Sequence, residues 1–311
     1  MKKWNYMFDC PDEKKVRMIV HTDCKNEADD QFALAHHLMT PKFIIKGIIG
    51  AHFNLSAEYS VGDGNTARAS MDEIYKILDL MDLNDEYTIK KGADYPLENE
   101  QTPRDSEGAR LIIEEAMKDD PHPLFIACQG SLTDLASAIL LEPRICDRMT
   151  CIWIGGAAYP DGGTEFNQNQ DIAAVNVVFK SSMPLWQIPS NVYKQVAVSL
   201  AELQLNVACC GKIGRYLVEQ MVELNNRLAN IPHWPNGEMW GLGDSPTIGV
   251  LLEETERTDI YDMLPAPIVD PDTQKYIHTG KYRDIRVYKK VNDRLILGDL
   301  FAKMKINYGD K

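Results

Sequence analysis

Short apolar runs recur along the chain with helical segments between them. VRMIVHTD, FIIKGIIGAHF, YTIKKG, PLFIACQG, TCIWIGGA and PLWQIPSN read as strands. DDQFALAHHLM, NTARASMDEIYKILDLM, SEGARLIIEEAMK, SLTDLASAILL and DIAAVNVVFKS read as the helices that join them. In NTARASMDEIYKILDLM, Ile74, Ile77, Leu78 and Met81 share one face at helical spacing. FIIKGIIGAHF is rich in β-branched residues, the composition of a strand buried on both faces. Strands alternating with helices in this way make βαβ units, so the fold expected is α/β: a Rossmann-like, mostly parallel central sheet flanked by helices.

The alternation persists to about Asn191. Beyond it come a long helix through GKIGRYLVEQMVELNNRL, the loop NIPHWPNGEMWGLGDSP and a short helix TIGVLLEE. Two apolar runs, YDMLPAPIV and DIRVYKK, precede a last helix. No repeat, low-complexity tract or linker divides the chain, which predicts a single domain over residues 1–311 with a C-terminal elaboration.

Composition narrows the function classes. At 44% hydrophobic and 25% charged residues the chain can bury a large core and is not of disordered type. Its formal net charge of -13 opposes binding to a phosphate backbone and suits a small neutral or cationic ligand. The seven cysteines form no CxxC pair or zinc-like spacing and read as reduced thiols. The N-terminus lacks the apolar core of a signal peptide and no run is long and uncharged enough to span a bilayer, so the expected location is cytoplasmic.

The most unusual stretch is HTDCKNEADDQFAL, which places Asp23, Glu27, Asp29 and Asp30 between a strand and a helix. Carboxylates this close raise one another's pKa unless a cation or hydrogen bonds hold them ionised. In open α/β sheets, ligands bind at the carboxyl ends of the strands. AHFN, CQGS and GGAAYPDGGTEFNQNQD fall at the same edge. A carboxylate-rich loop in that position suits a hard, oxygen-liking cation such as Ca2+ or Mg2+. For Asp30 alone the plainer alternative is a helix N-terminal charge.

TD followed by a short loop, DD and an apolar helix resembles the DxDxGxDD signature of the nucleoside hydrolases, the inosine/uridine-preferring nucleoside N-ribohydrolase family. CQGSLTDLA resembles that family's TGxLTNxA, WIGGA follows, EFNQNQDIAA resembles AEFNxxxDPxAA, and GDSP resembles HDPxA. The resemblance implies the nucleoside hydrolase fold and a Ca2+-dependent hydrolase that cleaves the N-glycosidic bond of a ribonucleoside to ribose and free base. It implies that Asp23 is both metal ligand and general base, and that Asp30, Asp244 and the backbone carbonyl of Gln129 complete the metal set. Asp29 matches a ribose-binding carboxylate, and Glu165 and Asn167 match the ribose-binding pair. Family members are commonly dimers or tetramers, so a homodimer or homotetramer is expected, acting on a small nucleoside or riboside, with no nucleic-acid or membrane partner.

Several positions depart from the family pattern. His21 stands at the first aspartate's place, and CKNEA replaces a tighter turn, where Asn26 is suited to a left-handed conformation and Glu27 offers a substitute oxygen or simply charges the helix N-terminus. After the second strand, Asn54 is the choice over His52 for the family's asparagine. The asparagine before the EFN segment has no counterpart. Gly243 replaces the histidine beside the distal aspartate, and Glu107 stands for a second histidine. Trp234 and Trp240 are candidates to stack on a base, with hydrophobic cover as the plainer reading. His233 and His52 are the candidate acids. The alternatives are a hydrolase of another riboside or glycoside, and a non-catalytic Ca2+-dependent nucleoside- or sugar-binding protein. A DxD-type phosphotransferase is weaker, because His21 occupies the nucleophile's position.

Overall fold

Seven consecutive buried residues, Val16–Thr22, form β1, and complete burial is what a parallel strand covered on both faces requires. The computed structural model describes residues 4–59, 65–254 and 256–309. From β1 the chain alternates as the apolar pattern predicts: α1 (Asp30–Leu38), β2 (Phe43–Gly50), α2 (Thr66–Leu80), β3 (Ile89–Lys91), α3 (Glu107–Met117), β4 (Leu124–Cys128), α4 (Thr133–Leu141) and β5 (Met149–Ile154). Next come α5 (Phe166–Gln170), α6 (Ile172–Lys180), β6 (Leu185–Ile188) and α7 (Ser190–Tyr193). The first half of β2 is only partly buried, unlike its second half.

The later chain adds β7 (Ala197–Ser199), α8 (Leu200–Asn206), α9 (Gly211–Arg227), β8 (Met239–Gly241), α10 (Pro246–Leu252) and β9 (Tyr261–Pro265). It ends with β10 (Ile268–Val269), β11 (Tyr276–Ile277), β12 (Asp284–Tyr288) and α11 (Asp293–Tyr308). The main sheet has eight strands in the order β3-β2-β1-β4-β5-β6-β12-β9. All its pairings are parallel except β9 on β12. The C-terminal runs are therefore the far edge of the central sheet. The Arg286 guanidinium ties this edge together, 3.9 Å from the Trp186 ring and 4.1 Å from that of Tyr261.

The order of strands locates the site. The chain builds outward from β1 through β2 to β3, then returns to place β4 on the other side of β1. Between β1 and β4 the following loops diverge in opposite directions and leave a crevice at the carboxyl edge. Gln129 N donates to the His21 carbonyl at 2.8 Å, locking the two strand ends side by side.

NIPHWPNGEMWGLGDSP is not all loop. Its segment Met239–Gly241 pairs antiparallel with Ala197–Ser199, which turns Trp240 into the core at 3% exposure. Ser199 also starts α8 through a reciprocal capping box with Glu202, a local signal that went unread. Among the described residues no helix is long and apolar enough to cross a membrane, and no two cysteines are joined in a disulfide.

Candidate active site

The β1–β4 crevice holds a pocket lined by the carboxylates of Asp23, Glu27, Asp29, Asp30, Glu165 and Asp244. Asn26, Gln129, Asn167, Tyr193 and Gly243 complete its polar and backbone wall, with Ile154 and Phe166 as apolar cover. Asp23, Asn26, Glu27, Asp29 and Asp30 come from the β1–α1 connection, and the remaining residues come from later segments that reach the same sheet edge, so residues far apart in sequence share one charge cluster.

Local structure fixes each group. Asp23 leaves β1 into a turn closed by Asn26 N to the Asp23 carbonyl at 2.9 Å, and Asn26 Nδ2 donates to Asp23 Oδ2 at 3.1 Å. The unusual torsion of this loop falls on Lys25, φ 155°, rather than on Asn26. Gly130 is required beside it, because a Cβ there would sit 2.9 Å from Asp23 Cγ. Asp30 opens α1 and accepts from the Thr22 hydroxyl. Glu165 caps α5, taking Gln168 N at 2.9 Å and Gly156 N at 2.8 Å on Oε2, while Tyr193 OH donates to Oε1 at 2.8 Å. Asn167 Nδ2 donates to the Ile154 carbonyl at 2.9 Å. The Gln129 side chain turns toward the distal loop and donates to Thr247 Oγ1 at 2.9 Å.

Charge in this pocket is uncompensated. Burial, reinforced by Asp30 and Glu27, holds the Asp23 carboxyl well above the usual range. Burial and the Asp29 charge push Asp30 up to about 8. Burial pushes Glu27 to about 8, with Asp29 and Asp30 adding to it. Asp29 reaches only about 6, because backbone amides including those of Gly243 and Asp244 oppose the burial. Asp244 is raised by burial and then by Asp30. A buried cluster of this kind is a strong cation trap. One oxygen from each of Asp29, Asp30 and Asp244 lies within 4.8 Å of the others, and this all-oxygen donor set fits a hard divalent cation. Asp23 is not part of that compact triad and stands beside it.

Other expected residues lie elsewhere. Asn54 donates to the Asp94 carbonyl at 2.7 Å and accepts from Thr66, so it braces the start of α2 and does not line the pocket. His52 is fully buried, bonded to Thr133 Oγ1 at 2.7 Å, and burial lowers it to about 4, which leaves it no proton to give near neutrality. Trp240 is a core residue. Trp234 packs on it with ring centroids 5.4 Å apart, so this pair is hydrophobic cover outside the pocket. His233 is exposed and also outside it, and Glu107 is exposed at the start of α3. Sequence reasoning missed Tyr193. It also left Asn26 without a contact, since no local signal announces that a side chain after β6 reaches Glu165.

The place of His21 is now explained. It does not meet the pocket but bonds Asp134 Oδ2 at 2.9 Å beneath it. Burial opposes ionisation of Asp134, yet His21, Ser106 and the Ala93 amide together hold its carboxyl below the ordinary value. A supporting carboxylate thus exists, supplied by α4.

A sequence model described as inosine-uridine preferring nucleoside hydrolase matches residues 18–302. A protein of Crithidia fasciculata with the same description is 34% identical over 98 residues, 30% of each chain. One from Leishmania major is 36% identical over 77 residues, 24% of each chain. The aligned stretches therefore span only about 30% and 24% of those relatives' lengths. The structure of a purine-preferring ribonucleoside hydrolase from Gardnerella vaginalis superimposes with a TM-score of 0.71 at 20% identity, covering 93% of this chain and 98% of that one. That likeness shows the same fold. With the match running from β1 to α11 and so enclosing every loop of the aspartate-lined crevice, this chain belongs to the inosine-uridine preferring nucleoside hydrolase family.

Proposed function

We propose that this protein hydrolyses the N-glycosidic bond of ribonucleosides, dependent on Ca2+, with residues 1–311 acting as one domain. The observation that supports it best is the buried carboxylate triad of Asp29, Asp30 and Asp244 with Asp23 at its side. The cation would be held by Asp23, Asp30, Asp244 and the Gln129 backbone carbonyl, with Asp29, whose oxygen lies within 4.8 Å of those of Asp30 and Asp244, beside them toward the sugar. When bound, the cation neutralises the clustered carboxylates and makes water beside it easier to deprotonate.

The chain's own groups do the rest. Asp23 takes the proton of the attacking water as its oxygen bonds to the anomeric carbon. Glu165 and Asn167 hold the sugar from the opposite wall, and Tyr193 fixes the Glu165 carboxylate by its 2.8 Å hydrogen bond. The surrounding negative charge stabilises the oxocarbenium-like sugar as the bond to the base breaks. We further propose, on the family resemblance alone, that it acts in the cytoplasm as a homodimer or homotetramer.

The test is release of ribose from inosine and uridine with added Ca2+ and after chelation. Asp23→Asn is expected to lower kcat by about 1,000-fold or more while the fold persists. Near wild-type turnover in that variant would place the base elsewhere, and no turnover of any riboside by the wild type would favour a binding protein.

A further inference from the structure

Glu27 is the one pocket carboxylate with no task in the proposed reaction. It comes from the CKNEA loop, lines the pocket and makes no hydrogen bond among the described residues. Its neighbours Asp29, Asp30 and Glu165 are like-charged, and the nearby Lys194, exposed outside the pocket wall, only partly offsets them. Among the described residues no lysine, arginine or histidine lines the pocket. The residues from 60 to 64, SVGDG, contain none either. A divalent cation held in this cluster would draw the carboxyls, Glu27 included, back to their ionised form and would still leave the pocket negative.

A second, independent feature concerns the leaving group. A neutral purine or pyrimidine needs a proton as it departs, and the pocket has no imidazole or ammonium to supply one. Residue 243 has no side chain to provide it, and a Cβ there would crowd Tyr193 Cδ2 at 3.0 Å and Asp29 Oδ2 at 3.3 Å. The Tyr193 hydroxyl already donates to Glu165.

Resting on the riboside hydrolysis proposed above, we propose that the preferred substrates are ribosides whose leaving group carries a formal positive charge, such as N-ribosylpyridinium or N7-alkylated purine ribosides, and that Glu27 selects them. The chemistry balances without an acid. Water oxygen bonds to the anomeric carbon, its proton goes to Asp23, and the C–N bond breaks with its electron pair returning to the ring nitrogen. The ring leaves neutral. Glu27 interacts with the charge while it is present and releases the product once it is gone, which favours turnover over tight product binding. A phosphorylated riboside is repelled by the same field.

The experiment compares kcat/KM for two pairs of substrates under three conditions in the Ca2+-loaded protein. N7-methylinosine is set against inosine, and N-ribosylnicotinamide against nitrophenyl riboside, a neutral substrate whose leaving group also needs no proton. Each pair is repeated in Glu27→Gln and at high salt. The cationic member is expected to lead in both pairs, and Glu27→Gln is expected to lower the pyridinium-to-nitrophenyl ratio about tenfold, the effect of removing one charge a few ångströms away. High salt should lower that ratio less than the substitution does, because the carboxylates around Glu27 are buried and only weakly screened. A pyridinium-to-nitrophenyl ratio unchanged in Glu27→Gln, or inosine cleaved as fast as N7-methylinosine, overturns the inference while leaving riboside hydrolysis intact. Failure to cleave any of the four compounds overturns the hydrolysis itself.

Discussion

Asn26 Nδ2 donates to Asp23 Oδ2 at 3.1 Å, while Asn26 Oδ1 accepts from Ser56 Oγ at 3.0 Å. Ser56 Oγ in turn accepts from Gln170 Nε2 at 3.0 Å, so Asp23 is tied through one amide to the loop after β2 and to the end of α5. Asn26→Asp keeps the size and the acceptor but turns a donor into a second carboxylate facing Asp23. Riboside kinetics should show kcat lowered about 10- to 100-fold with KM changed much less, because the base and not the sugar contact is displaced. An unchanged kcat would mean that this bond does not hold Asp23 in its working position.

Gly243→His would restore the residue common in the family but not its chemistry. The new side chain meets Tyr193 and Asp29, so Tyr193 must move and release Glu165. A loss of about tenfold in kcat/KM is expected, and adding Tyr193→Ala should cost little more, since both changes act through the same lost contact to Glu165. Full activity in the single variant would show that the Tyr193 ring is free to yield.

His21→Asp would likewise restore the family motif, and it should be among the most damaging changes in the chain. It sets a buried carboxylate against Asp134, in place of the 2.9 Å bond. Breaking a buried pair in this way costs about 3–5 kcal/mol. Denaturant titration should show that loss, and His21→Asn, which keeps a donor, should show less. Equal stability of His21→Asp and the wild type would contradict the role assigned to this bond.

Acid should destabilise the protein through its buried histidines. Burial lowers His36 to about 4 and His37 to about 3, against 6.5 for the ordinary imidazole. The unfolded chain then binds protons that the folded one refuses, so the stability these groups contribute is complete above about pH 6.5 and falls as pH drops toward 4. The slope is about 1.4 kcal/mol per pH unit for each histidine. His37→Leu should flatten the profile between about pH 6.5 and 3 as read by denaturant midpoints. A profile as steep as the wild type's would place the proton uptake elsewhere.

The apolar periodicity of the sequence determined the alternation of strand and helix from β1 to β6, because strands buried on two faces carry largely apolar runs such as Met18–Val20 within Val16–Thr22. It also determined which carboxylates stand at strand ends, and the spacing of these motifs carried the family. What it left open was decided by contacts between distant segments. In sequence Trp240 is a candidate for base stacking with hydrophobic cover as the plainer reading, and pairing of Met239–Gly241 with Ala197–Ser199 decides for cover by burying it. Asn54 and Asn26 are both plausible asparagines by type. Only the fold gives Asn54 to Asp94 and Asn26 to Asp23. Tyr193 and Glu165 lie on separate elements, and their hydrogen bond exists only because β5 and β6 are neighbours in the sheet. Local propensity and pattern are carried by adjacent residues, whereas the identity of a side chain's partner depends on which strands the whole chain sets side by side.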